Sequence, residues 1–242
     1  MASALQLGLL CVAFWTAVLG FRSRQIRGVS AIHFVAGLGL GAVFAHGGWV
    51  LLHVDQVAQH PELIGNPALG RSVLFFPLGL LALTPARASA ATRRAWLDAS
   101  FAALPPALAV ARLGCLVAGC CGGLPIGGEF FLKWHPTPLY EMGGLWLLGL
   151  IIRGCPSGLV APVVLAGFGA VRAAVDPLRA PAPLGSPLLP PGLLALAWLV
   201  AGAALGLRPL REAVSAPSSR GRRSREGHGA RRPAEPRPRS SA

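Results

Sequence analysis

Apolar residues run along the chain in seven long stretches, about 3–20, 29–54, 69–86, 96–121, 136–152, 157–176 and 187–207, with most polar residues in the short segments between them. A helix needs roughly 20 predominantly apolar residues to cross the hydrocarbon core. The pattern therefore predicts an all-α polytopic membrane bundle of about seven transmembrane helices. Only Ala2 and Ser3 follow the initiator Met1 before the first stretch, with neither a basic segment nor a small-residue cleavage site, so it reads as a retained span rather than a signal peptide. No inverted internal repeat of the transporter kind is visible.

The polar segments also set an orientation, because basic loops stay on the cytoplasmic side. Arg22, Arg24 and Arg27 follow the first stretch, Arg87, Arg93 and Arg94 the third, and Arg153 the fifth. The second loop, Asp55 to Ala68, holds two acids and no arginine, and the fourth, Gly122 to His135, balances Glu129 against Lys133. The sixth, with Asp176, Arg179 and Pro177, Pro181, Pro183 and Pro187, follows by alternation. The N-terminus is expected outside and the C-terminus in the cytoplasm.

Composition supports the membrane reading and locates the charge. Of 242 residues, 53% are hydrophobic and 13% charged, about half the charged share of a soluble domain. The net charge of +13 would suggest nucleic acid if it were spread over a folded surface, but ten Arg against three Glu between Arg208 and Ala242 supply +7 of it. That segment is rich in Ser, Pro, Gly and Arg and has little to bury. The chain thus divides into a bundle over 1–207 and a basic, disordered cytoplasmic tail over 208–242. The tail is expected to lie on anionic inner-leaflet lipid and to bind no nucleic acid.

Four ionisable residues inside the apolar stretches stand out: His46, Arg112, Glu141 and Arg172. Such groups cost several kcal/mol at membrane depth and are placed where they pair or line a polar cavity. In the expected topology all four lie in the outer halves of their helices, within about 14 Å of the outer surface at roughly 1.5 Å per residue. They are therefore expected to surround one outward-opening cavity. Gly47 and Gly48 follow His46, and Gly114, Gly119, Gly122 and Gly123 surround Arg112, with Gly127 and Gly128 beyond; missing side chains let backbone approach a ligand or a neighbouring helix.

Five cysteines stand at 11, 115, 120, 121 and 155, an odd number that does not describe a disulfide framework. Cys115, Cys120 and Cys121 with His135 could bind a soft metal or form a redox pair. Their spacing matches no zinc module, and Cys120 and Cys121 point to different helix faces, so no metal or cofactor is expected.

The segment Ala111-Arg112-Leu113-Gly114-Cys115 through Gly119 and Gly123, followed by His135-Pro136-Thr137-Pro138-Leu139-Tyr140-Glu141, resembles the signature of the prolipoprotein diacylglyceryl transferase family. That signature has Arg-x-Gly-Asn-Phe-x-Asn-Gly-Glu followed by His-Pro-Ser-Gln-Leu-Tyr-Glu. His46-Gly47-Gly48 is similar to its His-Gly-Gly-Leu, and Phe168-Gly169 with Arg172, Asp176 and Arg179 to its Tyr-Gly-x-x-Arg-Phe-x-x-Glu-x-x-Arg. The likeness covers residues 28 to 180, in order, and the family's seven spans and outside N-terminus agree with the topology above.

The resemblance implies a bacterial inner-membrane enzyme that moves the diacylglyceryl group of phosphatidylglycerol to the lipobox cysteine of a preprolipoprotein. On this reading Arg112 and Arg172 hold the headgroup and stabilise the leaving phosphate, while His46 accepts the thiol proton. Gly47, Gly48, Gly114, Gly123, His135, Tyr140, Glu141 and Arg179 form the substrate site, with Asp176 and Arg179 at its mouth. The sequence departs from the pattern where the family has Asn (Cys115 and Ala118), Glu (Cys120), Gln (Pro138) and Tyr (Phe168). These changes keep open a second reading, the same scaffold with a changed lipid substrate or a non-catalytic lipid-binding role.

Overall fold

The structure, a computed structural model, describes residues 2–24, 30–64, 72–119, 122–126, 134–179 and 191–215. Among them the chain forms eight α-helices: α1 (Ala2–Arg22), α2 (Ala31–Leu52), α3 (Val54–Gln59), α4 (Phe76–Ala82), α5 (Ala90–Ala118), α6 (Thr137–Ile151), α7 (Val160–Val175) and α8 (Pro191–Ser215). The described residues contain no strand, only two isolated β-bridges. Every expected apolar stretch holds a helix. Among the described residues four helices are long and apolar enough to cross a membrane: α1, α2, α5, and α7 together with the 3-10 turn that carries it to Leu178.

Two boundaries differ from expectation. Of the third stretch, expected over 69–86, the described residues are helical from Val73 to Ala82, and 69–71 lie outside them. Pro85 accounts for its early end, since the residue before a proline is pushed out of the α region, and Leu83 is already non-helical. At the other end of the chain α8 continues past residue 207, the expected edge of the bundle, to Ser215. Leu210, Arg211, Glu212 and Ala213 are strong helix formers, which extends the helix despite Pro209.

Helix α5 is the hub, packing against α1, α6 and α7. Its buried Ala99, Ala102, Ala103, Ala107 and Ala109 let neighbouring backbones come close. Trp96, Phe101 and Leu104 fill the core with Phe34, Leu80 and Leu165. The helix runs unbroken through Pro105 and Pro106, which withdraw two adjacent N–H donors from its middle. Helix α2 lies against α4, where the backbones of Gly41 and Gly79 touch. Helix α8 lies against α7, and Trp198 Nε1 donates to the Leu74 carbonyl at 2.6 Å.

One buried carboxylate joins α5 to α7. Asp98, only 7% exposed, accepts the backbone N–H of Gly158 and that of Ala161, the latter at 3.1 Å. The residue preceding α7 is Leu159, which has no side-chain acceptor, so a residue 60 positions earlier caps this helix. The carboxylate also complements the positive end of the helix dipole. Hydrogen bonds to a charged group contribute about 1.5–3 kcal/mol each, so Asp98→Ala is expected to destabilise the bundle by about 3 kcal/mol, with Asp98→Asn recovering part of that. Thermal unfolding in detergent measures it, and a transition unmoved in the Ala variant would exclude the capping role.

Candidate functional site

The site is built where α5 ends. Gly119, at φ 66°, adopts the left-handed conformation that terminates the helix. After it, Gly123 N–H donates to the His135 carbonyl at 3.0 Å, His135 N–H to Leu124 at 3.0 Å, and Leu124 N–H to Leu178 at 2.8 Å. Three segments, one after α5, one before α6 and one after α7, are thus joined by backbone bonds at a single end of the bundle. A side chain on Gly123 would collide with His135 and with the Leu178 carbonyl, so the closure requires glycine.

That closure brings a charged cluster together. Glu141, in the second turn of α6, is 1% exposed. Its Oε1 accepts from Arg172 of α7 and from Arg179 just beyond α7, and its Oε2 is ion-paired with Nε of Arg112 on α5. Arg172 also pairs with Asp176 one turn later, at 2.7 Å, and Arg179 reaches the same carboxylate at 3.5 Å. A second nitrogen of Arg112 donates to Cys115 Sγ at 3.7 Å.

Buried ions are tolerated when paired and costly when not. Among the described residues three guanidinium groups face two carboxylates, a formal charge of +1. Side-chain exposure rises from 8% at Arg172 and 12% at Arg112 to 23% at Arg179, so the cluster faces solvent on the Arg179 side. Such a centre attracts one further anion, and guanidinium forks match phosphate oxygens well.

Beside the cluster, His135 Nδ1 lies 3.4 Å from the Tyr140 hydroxyl, their rings edge to face. Tyr140 precedes Glu141 in the chain and is 40% exposed. Phe168 is buried in an apolar group with Leu74, Ala109 and Leu145, and Pro138 is buried in the first turn of α6. The surroundings of Phe168 call for no polar side chain.

Of the four ionisable residues expected together, contacts join Arg112, Glu141 and Arg172, and Arg179 and Asp176 complete the group. His46 stands on α2, where Nε2 is 3.0 Å from the Ile64 carbonyl and the ring stacks near Trp49. Its helix packs on α1, α4 and the turn at 73–75. The expected substrate glycines have different surroundings. Gly47 is open, Gly48 is closed off by the Phe75 ring, and Gly114 faces Gln6 and Leu9 of α1.

Cys120, Cys121, Gly127, Gly128 and the segment 216–242 lie outside the described residues. Among the described residues no three His, Cys, Asp or Glu side chains gather where a metal could be held. Among the described residues, sequence reasoning passed over two buried ionisable residues, His53 and Asp98; the signal for Asp98 was a lone carboxylate inside the 96–121 apolar stretch.

The family model of prolipoprotein diacylglyceryl transferase matches residues 10–208, a span that contains every residue of the cluster. No curated protein and no solved structure matches the chain.

Proposed function

The chain belongs to the prolipoprotein diacylglyceryl transferase family, and from that footing we propose that it transfers the diacylglyceryl group of phosphatidylglycerol to the lipobox cysteine of preprolipoproteins, at the outer face of a bacterial inner membrane. In this reading the chain spans the membrane about seven times with its N-terminus outside. The thiolate sulfur attacks the glycerol carbon bonded to the phosphate oxygen; the new S–C bond forms as that C–O bond breaks, and glycerol phosphate leaves with the electron pair. Diacylglyceryl-cysteine is the product.

The convergence of Arg112, Arg172 and Arg179 on one buried glutamate carries this reading. A leaving phosphate needs fixed positive charge in a low-dielectric setting, and preorganised cations stabilise it without reorganisation during the reaction. Arg112 and Arg172 take that role, held in position by Glu141. Arg179 and Asp176 stand at the mouth, with Tyr140 and His135 beside it.

His46 is assigned the thiol proton. A ring donating to the Ile64 carbonyl through Nε2 carries its basic lone pair on Nδ1, and histidine exchanges protons near neutral pH. Reaching the arginine cluster from α2 falls to the substrate, whose signal peptide places the thiol between them.

Complementation tests the proposal. The chain, its Arg112→Ala variant and its His46→Ala variant are expressed in bacteria depleted of their own diacylglyceryl transferase, and lipoprotein mass is followed. Rescue by the parent and failure of both variants is the expected result. A well-inserted parent that does not rescue would instead favour the changed-substrate or lipid-binding reading.

Cys115 gives a finer check. Sulfur is a weak acceptor for Arg112. Replacing Cys115 with Asn, the family's residue, is expected to raise the transfer rate about two- to five-fold, on the order of the 0.5–1 kcal/mol by which a neutral hydrogen bond improves on a poor one. A large loss in Cys115→Asn would show that the surrounding shell is tuned to the thiol.

A further inference from the structure

A second cationic feature lies at the opposite end of the bundle. Between α1, α5 and α6 runs a groove of about 190 Å³, with Ala103, Pro106, Trp146 and Gly149 on its walls and Arg24 and Arg153 at one end. Along α6 the groove descends toward Arg153, which follows Glu141 by twelve residues in the chain. At roughly 1.5 Å per residue, that places the two charged centres about 18 Å apart along the helix axis.

Arg24 and Arg153 are both exposed and neither makes an ion pair with any described residue. Two like charges therefore share one groove without a carboxylate between them. The walls above them combine Leu145, Trp146 and Ile152 with small residues: a side chain on Gly149 would meet only Pro105, at 3.9 Å, and one on Gly20 only Ala103, at 3.6 Å. An apolar channel that ends in a pair of guanidinium groups has the polarity of a phospholipid, with acyl chain inward and phosphate at the interface.

We propose that this groove binds one anionic glycerophospholipid of the leaflet opposite the Glu141 cluster, its phosphate held by Arg24 and Arg153 and one acyl chain against Pro106 and Gly149. Charge complementarity selects this occupant over a zwitterionic lipid, whose ammonium would meet the same two arginines. The site is separate from the transfer site and does not depend on the chain being an active transferase.

The full-length chain in nanodiscs is photolabelled with phosphatidylglycerol, or with phosphatidylcholine, carrying a diazirine on one acyl chain, and labelled peptides are mapped. Labelling of 102–106 and 145–153 is expected with the anionic lipid, with roughly thirty-fold weaker binding in Arg24→Gln/Arg153→Gln. Gly149→Leu, which fills the groove, removes the same labels. The Lys pair, which keeps the charge, retains the preference. Equal labelling by both lipids, or labelling unchanged in the Gln pair, overturns the assignment, as does its loss in both the Gln and Lys pairs, which would trace it to damaged packing. Labels at peptides around Glu141 report the transfer site independently.

Discussion

Glu141→Gln is expected to destabilise the protein by about 3–5 kcal/mol, the cost of breaking a buried ion pair from one side, and to abolish lipoprotein modification. The geometry makes this the most damaging conservative change in the bundle. One carboxylate holds guanidinium groups from α5, from α7 and from the segment after α7. The amide keeps the shape and removes the charge, so among the described residues three cations, of which Arg172 is buried, face each other with Asp176 to offset them. A loss of this size takes away much of a typical stability of about 5–15 kcal/mol. Thermal unfolding in detergent gives the first readout and complementation the second. A Gln variant that unfolds with the parent would mean that the arginines are held by something other than Glu141. Glu141→Asp separates charge from reach: it keeps the anion but is one methylene shorter, and an intermediate result is expected.

Arg112→Ala is expected to slow thioether formation by roughly 10²–10³-fold, the loss typical when one preorganised donor is taken from a developing anion. The drop should fall on kcat, measured on a lipobox peptide in phosphatidylglycerol vesicles. A rise in KM alone would make Arg112 a headgroup anchor and remove it from transition-state stabilisation. Arg112→Lys should restore only part of the rate. The guanidinium spans Glu141 and Cys115 at the same time, whereas an ammonium on a flexible stem offers a single point of charge.

Most of the bundle could be read from hydropathy, because a lipid-exposed helix must be apolar over its length and each apolar stretch contains one. The third stretch was misjudged because hydropathy does not register the conformational effect of Pro85, and α8 because helix propensity outlasts hydrophobicity beyond residue 207. Arg112, Glu141 and Arg172 were visible because ionisable groups inside apolar helices seldom occur without one another. Their convergence depends on the closure at Gly123, whose backbone bonds to His135 and to Leu178 join positions far apart in sequence. No periodicity encodes it. Nor does hydropathy show which helices pack together, such as α2, which carries His46, on α1 and α4.

The link between Asp98 and the start of α7 bears on how the protein is made. Synthesis runs from the N-terminus, so α5 enters the bilayer carrying Asp98 and Arg112 before the chain has produced Glu141, the amides at 158 and 161, or Arg172. During that interval both charges must be sheltered by the insertion machinery or by water, and they gain the partners described above only as α6 and α7 emerge. Ribosomes that stop before codon 158 would leave Asp98 without the two amides it holds in the finished bundle.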